Sequence, residues 1–202
     1  MILTAGARRR HALPGRRSCV PVPPACRTRE RTPPAIFSLP MIRNKYERHV
    51  VLVAPEVHWN TGNIGRTCLG AGASLHLIRP LGFSLGSREV KRAGLDYWPK
   101  VSLSVWEDFS DFKENMNPLE GEVALFAKKG EKPFWSMPCS DRLFLIFGSE
   151  TRGLPDQILS IYQNAKYHIP ITDEIRCLNL STSVGIALYE SIRGTASFHA
   201  WS

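Results

Sequence analysis

The sequence predicts an α/β domain built on a largely parallel sheet, and three observations carry that reading. Short, continuous apolar runs recur along the chain, Val50-Val51-Leu52-Val53 and Leu143-Phe144-Leu145-Ile146 among them, as strands covered on both faces require. Stretches of helical periodicity lie between these runs, at the spacing of strand-helix-strand units. Glycine, asparagine and proline gather where the apolar runs end, which is where such proteins hold their binding loops.

Each element has its own signal. Val50–Val53 is β-branched and stops before Pro55. Ile64 to Gly70 reads as a helix, and Ser74–Ile78 as a strand ended by Pro80. Arg88 to Gly94 reads as a short basic helix. Val101 to Val105 alternates like a strand, and Asp108 to Asn115 has Phe109 and Phe112 at helical spacing. Val123–Ala127 and Leu143–Phe147 are buried strands. Pro155 opens a helix through Tyr162, a first-turn position that tolerates proline. Tyr167–Ile171 is the last strand. Ser181–Arg193 is a helix with Val184, Ala187, Leu188 and Ile192 on one face.

The 202 residues suffice for one domain with a substantial core, and the formal net charge is +8. That charge is not spread evenly. Residues 1–40 hold eight arginines, one acid (Glu30), seven of the fifteen prolines and no lysine, leaving 18 bases against 17 acids in residues 41–202. The folded part is therefore nearly neutral. Residues 1–45 read as a disordered leader, too polar to repay ordering, and the domain as residues 46–202. Three readings of the leader stand side by side: a non-native extension before a start at Met41, an organelle-targeting segment, or an RNA-tethering arm. The first is slightly favoured. No secretory core or membrane-length apolar run is visible. Five cysteines without a CxxC pair or a histidine grouping argue for a reducing compartment and against a metal. The expected location is the cytoplasm, or an organelle if the leader is a targeting segment.

Three loops hold the candidate chemistry. The first, Asn60-Thr61-Gly62-Asn63-Ile64-Gly65-Arg66-Thr67, joins strand one to its helix. Gly62 permits close backbone approach, and the helix N-terminus offers N–H groups to a phosphate. Alone, this stretch reads more readily as a capped helix with Arg66 on a solvated face, and it matches neither GxxxxGK[ST] nor GxGxxG. The second, Phe147-Gly148-Ser149-Glu150-Thr151-Arg152-Gly153-Leu154-Pro155, follows a buried strand. Glu150 and Arg152 there could form a surface ion pair of little value. The third, Ile169 to Ser181, leads into the final helix, which Asn179 or Ser181 could simply cap.

Taken in order, "NTGNIGRTC", "FGSETRGLP" and "IPITDEIRCLNLSTSVGIALYE" resemble the three signature motifs of SPOUT RNA methyltransferases of the SpoU/TrmH branch. "LHLIRPLGF" and "KRAGLDYW" narrow the resemblance to the TrmL-like tRNA wobble ribose 2′-O-methyltransferases. It runs from about Val50 to Arg193.

The resemblance implies a SPOUT α/β fold, with helices on both faces of a mainly parallel sheet and a C-terminal trefoil knot. It implies S-adenosylmethionine held by Ala127 or Lys128, Gly148, Ile169, Cys177 and Leu178. It makes Arg66 the catalytic residue and Asn60, Asn63, Glu150, Arg152 and Asn179 the substrate contacts. On this reading Gly148 lets the cofactor lie against the main chain, with Glu150 and Arg152 facing the RNA. The implied partners are the anticodon stem-loop of tRNA and a second copy of the chain, with no membrane and no metal. Arg88, Lys91 and Arg92 are the local candidates for RNA phosphates, equally readable as a solvated helix face.

Three departures from the family pattern stand out. Trp59 occupies a position where relatives often carry proline, and either reshapes the loop or offers a base a stacking surface. Cys177 replaces the usual serine, and the loop after Ala127 is about two residues short. Competing readings are a ribosomal-RNA or other-position tRNA 2′-O-methyltransferase, a non-catalytic dimeric RNA-binding homologue, and an unrelated nucleotide binder.

Overall fold

In the computed structural model, which describes residues 46–85 and 97–193, strand β1 (Glu47–Val53) starts three residues ahead of its apolar run and takes in Arg48 and His49. Helix α1 (His58–Ala71) follows, then β2 (Ser74–Ile78), β3 (Leu103–Trp106) and α2 (Phe109–Met116). The rest of the order is β4 (Val123–Phe126), β5 (Lys132–Pro133), β6 (Arg142–Phe147), α3 (Asp156–Ile161), β7 (Lys166–His168) and α4 (Leu180–Arg193). All seven strands form one parallel sheet in the order β3-β2-β1-β6-β4-β7-β5.

Beyond their first residues Glu47 and Arg142, the central strands β1 and β6 are buried because both faces are covered. Arg48 and His49 are consecutive, so their side chains leave β1 on opposite faces. Arg48 reaches the Ser191 carbonyl of α4, whereas His49 stacks on Phe144 beneath Phe112 of α2. Helix α4 packs on α1 as well as on β1 and β6. Cys68 of α1 is fully buried, and burial pushes its thiol up to about 12, so it serves as a small apolar residue.

Three element boundaries differ from the sequence reading. Helix α1 begins six residues early, taking in Asn60 to Asn63, for a reason that lies in another loop. The last strand stops at His168 instead of Ile171, and Pro170 and Ile171 are exposed. Proline cannot donate to a ladder, and β7 pairs over only two residues with each neighbour. The short edge strand β5, with Lys132 and a proline, gave no apolar signal. The predicted helix over 88–94 and the basic segment Arg88, Lys91, Arg92 fall outside the described residues, as does the leader.

Candidate active site

Register brings the loops together. Phe126 of β4 pairs with both Phe147 of β6 and Tyr167 of β7, and Leu52 of β1 pairs with Phe147. The residues that follow, Ala127, Gly148 and His168, therefore leave the same sheet edge side by side. Ala54, just past β1, holds a φ of 50° and turns the chain toward Glu56.

A hydrogen-bonded chain then ties the three motif loops to one another. The Glu150 carboxylate accepts from the backbone N–H of Glu56 at 2.8 Å and of Val57 at 3.3 Å. It also accepts from Asn60 Nδ2 at 2.8 Å, and Asn60 Oδ1 in turn accepts from Asn179 Nδ2 at 3.0 Å. Asn179 Oδ1 receives the backbone N–H of Ser181 at 2.9 Å and of Thr182 at 3.4 Å, so it caps α4. Both amide orientations follow from this order, because an oxygen must face the backbone N–H groups. Thr151 adds a bond to Glu56 Oε1 at 2.6 Å.

This chain explains the early start of α1 and revises three expectations. The Glu150 carboxylate binds the N–H groups of Glu56 and Val57, the two residues just ahead of α1, and places negative charge near the helix's positive end. That charge disfavours a phosphate beside the same end. Gly62 lies within the helix, buried, and its carbonyl accepts from the Tyr97 hydroxyl at 3.0 Å. Its proposed close approach to a ligand is replaced by a contact within the protein. Gly148 is also needed for a different reason. A Cβ there would collide with the Gly153 carbonyl and the Leu154 nitrogen, because the loop folds back in a turn bonded between Ser149 and Gly153. Glycine is required by the loop's own backbone, whatever ligand lies outside.

The predicted substrate residues divide into two sets. Asn60 is buried and Glu150 is half-buried, and both are engaged by neighbouring loops. Asn179, though exposed, is likewise engaged at both ends of its amide. Asn63, Arg66 and Arg152 are exposed, and among the described residues no carboxylate pairs with either arginine. Arg66 lies over the Tyr97 ring, its guanidinium carbon 4.8 Å from the centroid. Sequence reasoning missed this shelf for Arg66, although Tyr97 belongs to the RAGLDYW segment it singled out.

The predicted cofactor residues form a different surface. Ala127, Ile169 and Leu178 are half-buried, Gly148 is buried, and Lys128 and Cys177 are exposed. The third loop also exposes Ile171 and Ile175, at 38% and 48%. Gly130 was overlooked: its loop presses so closely on the Tyr167–His168 backbone that a Cβ would not fit. The set fits an adenosine, with exposed aliphatic groups for a flat base and, one residue before Ile169, a buried His168 Nδ1 without a partner in the described structure. Among the described residues no group of His, Cys, Asp and Glu is arranged to hold a metal, and no helix is long and apolar enough to cross a membrane.

Comparison with known proteins decides the family. Residues 47–189 match the SpoU rRNA methylase family. The chain belongs to that family. A Listeria innocua protein named, provisionally, as a tRNA (cytidine(34)-2′-O)-methyltransferase is 45% identical over 148 residues, covering 72% of this chain and 86% of that protein. A solved structure, described as giving insight into the 2-OH methylation of C/U34 on tRNA, superposes with a TM-score of 0.69 at 41% identity. It covers 75% of this chain and 97% of its own. An AdoMet-bound rRNA methyltransferase from Sinorhizobium meliloti superposes with a TM-score of 0.67 at 25% identity, over 75% of this chain and 57% of that one. The chain thus shares its fold with both solved structures.

Proposed function

We propose that this SpoU-family protein transfers a methyl group from S-adenosylmethionine to the ribose 2′-oxygen of the wobble nucleotide, cytidine or uridine, in a tRNA anticodon loop. The observation that carries the proposal is the Glu150–Asn60–Asn179 chain. It draws the three motif loops onto one sheet edge and leaves Arg66, Asn63 and Arg152 exposed, with no carboxylate partner for either arginine among the described residues.

When bound, the cofactor supplies a methyl carbon activated by attachment to a sulfonium. The protein's task is to align a weak nucleophile with that carbon. Ala127, Lys128, Gly148, Ile169, Cys177 and Leu178 would hold the cofactor, Ile169 and Leu178 offering aliphatic surface and the loops their backbone polar groups. An arginine guanidinium keeps its proton throughout the range in which proteins fold, so it serves poorly as a base. Arg66, braced on Tyr97, instead grips a phosphate beside the target ribose and orients its hydroxyl, and that phosphate is suited to accept the proton. Arg152 and Asn63 contact the RNA directly, while Asn60, Glu150 and Asn179 hold the loops in place. The exposed cations on this edge favour a polyanion, although Asp173 and Glu174 on the third loop offset part of their charge.

We extend the proposal to the assembly. One nearly neutral protomer offers a tRNA little positive field, which favours a homodimer in which the partner completes the RNA path, and sedimentation of the purified protein tests it. The trefoil knot belongs to the same proposal, with the segment after β7 threading an earlier loop.

The deciding experiment supplies labelled S-adenosylmethionine and an anticodon stem-loop. Label should enter the RNA and vanish when the wobble nucleotide is 2′-deoxy. Label that persists on the deoxy substrate refutes the ribose assignment, and absence of label from every tRNA refutes the reaction.

A further inference from the structure

We infer that Trp59 is a base-binding residue, stacking an unpaired nucleobase adjacent to the ribose held by Arg66, and that with Asn63 it sets which RNA segment the enzyme accepts. This rests on the RNA-methyltransferase reading above and adds a residue to it.

Trp59, Asn63 and Arg66 are spaced i, i+4, i+7 on α1, so all three project from one face of the helix. All three are exposed, Trp59 at 54%. An indole left in water on a helix face costs apolar burial, and this one has a built surround. The His58 ring lies 4.3 Å from the Trp59 ring, and Phe83, on the loop after β2, lies behind His58 at 6.4 Å. The rest of the stripe has the matching chemistry. The Asn63 side chain has no hydrogen-bond partner among the described residues, and Arg66 has no carboxylate partner there, only the Tyr97 ring.

An aromatic face, an amide and a guanidinium in that order match a base, a base edge or sugar, and a phosphate along one strand. Trp59 and Arg66 lie seven residues apart, roughly 10 Å along a helix axis, which is the reach from a stacked base to the phosphate of a neighbouring nucleotide. Paired bases do not present a free face, so the strip selects a single-stranded loop. A second copy of the chain is the other conceivable cover for an exposed tryptophan, but it would leave the amide and the guanidinium unused.

The test compares wild type, Trp59→Ala and Trp59→Phe in methyl transfer to an anticodon stem-loop, and repeats each with an abasic nucleotide at the positions flanking the wobble residue. Base stacking is worth enough to change affinity roughly five- to a hundredfold. Trp59→Ala should raise KM for the RNA at least about tenfold, far more than it lowers kcat, and Trp59→Phe should restore most of the loss. The abasic RNA should impose the same penalty on wild type and almost none on Trp59→Ala, because the two changes remove one contact. Thermal stabilisation by S-adenosylhomocysteine should be equal in all three proteins. An unchanged KM, additive penalties, or a shifted oligomeric state with normal RNA binding overturns the inference. The abasic arm in wild type decides the matter even if Trp59→Ala folds poorly. Failure of wild type to methylate RNA at all would count against the reaction itself, a result separable from these.

Discussion

The two ends of the sheet both carry polar side chains, and they use them in opposite ways. At the end where the strands begin, Arg48 is 1% exposed and donates to the carbonyls of Glu47, Ser140, Asp141 and Ser191, each at 3.1 Å. Arg142 closes the same end against Glu122 at 2.6 Å and against the carbonyls of Met116 and Asn117 at the end of α2. Beneath α2, along the middle of the sheet, Trp106 Nε1 donates to His76 Nδ1 at 3.1 Å, which leaves His76 Nε2 to donate to His49 Nδ1 at 3.0 Å. Here polar groups face inward and bind helices α2 and α4 to the sheet. At the other end, Glu150, Asn60 and Asn179 bond only to loops and helix starts, and the cations Arg66 and Arg152 remain outside. The first end stabilises the fold, and the second holds groups ready for a ligand.

Substitutions can break this contrast, and the largest effect is expected at Arg48. Its guanidinium has already been desolvated, which lowers its pKa, and its removal deletes four part-buried hydrogen bonds at about 1 kcal/mol each. Arg48→Met should lose at least about 3 kcal/mol in urea unfolding while methyl transfer per folded molecule is retained. A stability close to wild type would show that this end is not the anchor.

Acid should act on the buried histidines beneath α2. Desolvation first, and the neighbouring His49 second, pull His76 down to about 4, against about 6.5 in an unfolded chain. Above pH 6.5 neither state takes up the proton, and stability is fully present. As pH falls from 6.5 toward 4 the unfolded chain binds a proton that the folded one refuses, and on the order of 3 kcal/mol is lost. Burial lowers His49 as well, which adds to the slope. Unfolding free energies between about pH 7 and pH 5 should decline in wild type and decline less in His76→Gln. Equal slopes would remove His76 from the account.

Effects at the other end should be smaller in stability and larger in activity. Glu150→Gln keeps the shape but weakens the charge-assisted bonds to the chain ahead of α1, so a loss of about 1–2 kcal/mol is expected in unfolding. Methyl transfer should fall more steeply, because the three loops lose their common partner. Arg66→Ala should leave the unfolding midpoint and stabilisation by S-adenosylhomocysteine unchanged, yet abolish transfer. Loss of cofactor binding in that variant would refute its role on the RNA side.

Much of this was legible in the sequence where the signal is local. Apolar runs marked β1, β2, β4 and β6 because burial on both faces imposes continuous hydrophobicity. Asn179, one of the two cap candidates, was legible because it bonds within its own next three residues. The start of α1 was not legible. Asn60-Thr61-Gly62-Asn63 has poor helix propensity, and its tertiary partners, Glu150 and Asn179 on Asn60 and Tyr97 on Gly62, come from elsewhere in the chain. Trp106, His76, His49 and Phe112 likewise gave no joint signal, since they meet only when three strands and a helix assemble.

By itself the sequence determined the alternation of strands and helices, the three motif loops and the family they belong to, since these depend on residue type and spacing along the chain. Only the tertiary structure decided what each motif residue touches. Gly148 yields to the backbone of its own loop, Glu150 binds the chain just ahead of a distant helix, and Arg66 rests on Tyr97. Contacts between residues some thirty to a hundred and twenty positions apart depend on strand register and the path of loops, and neither is written in local composition.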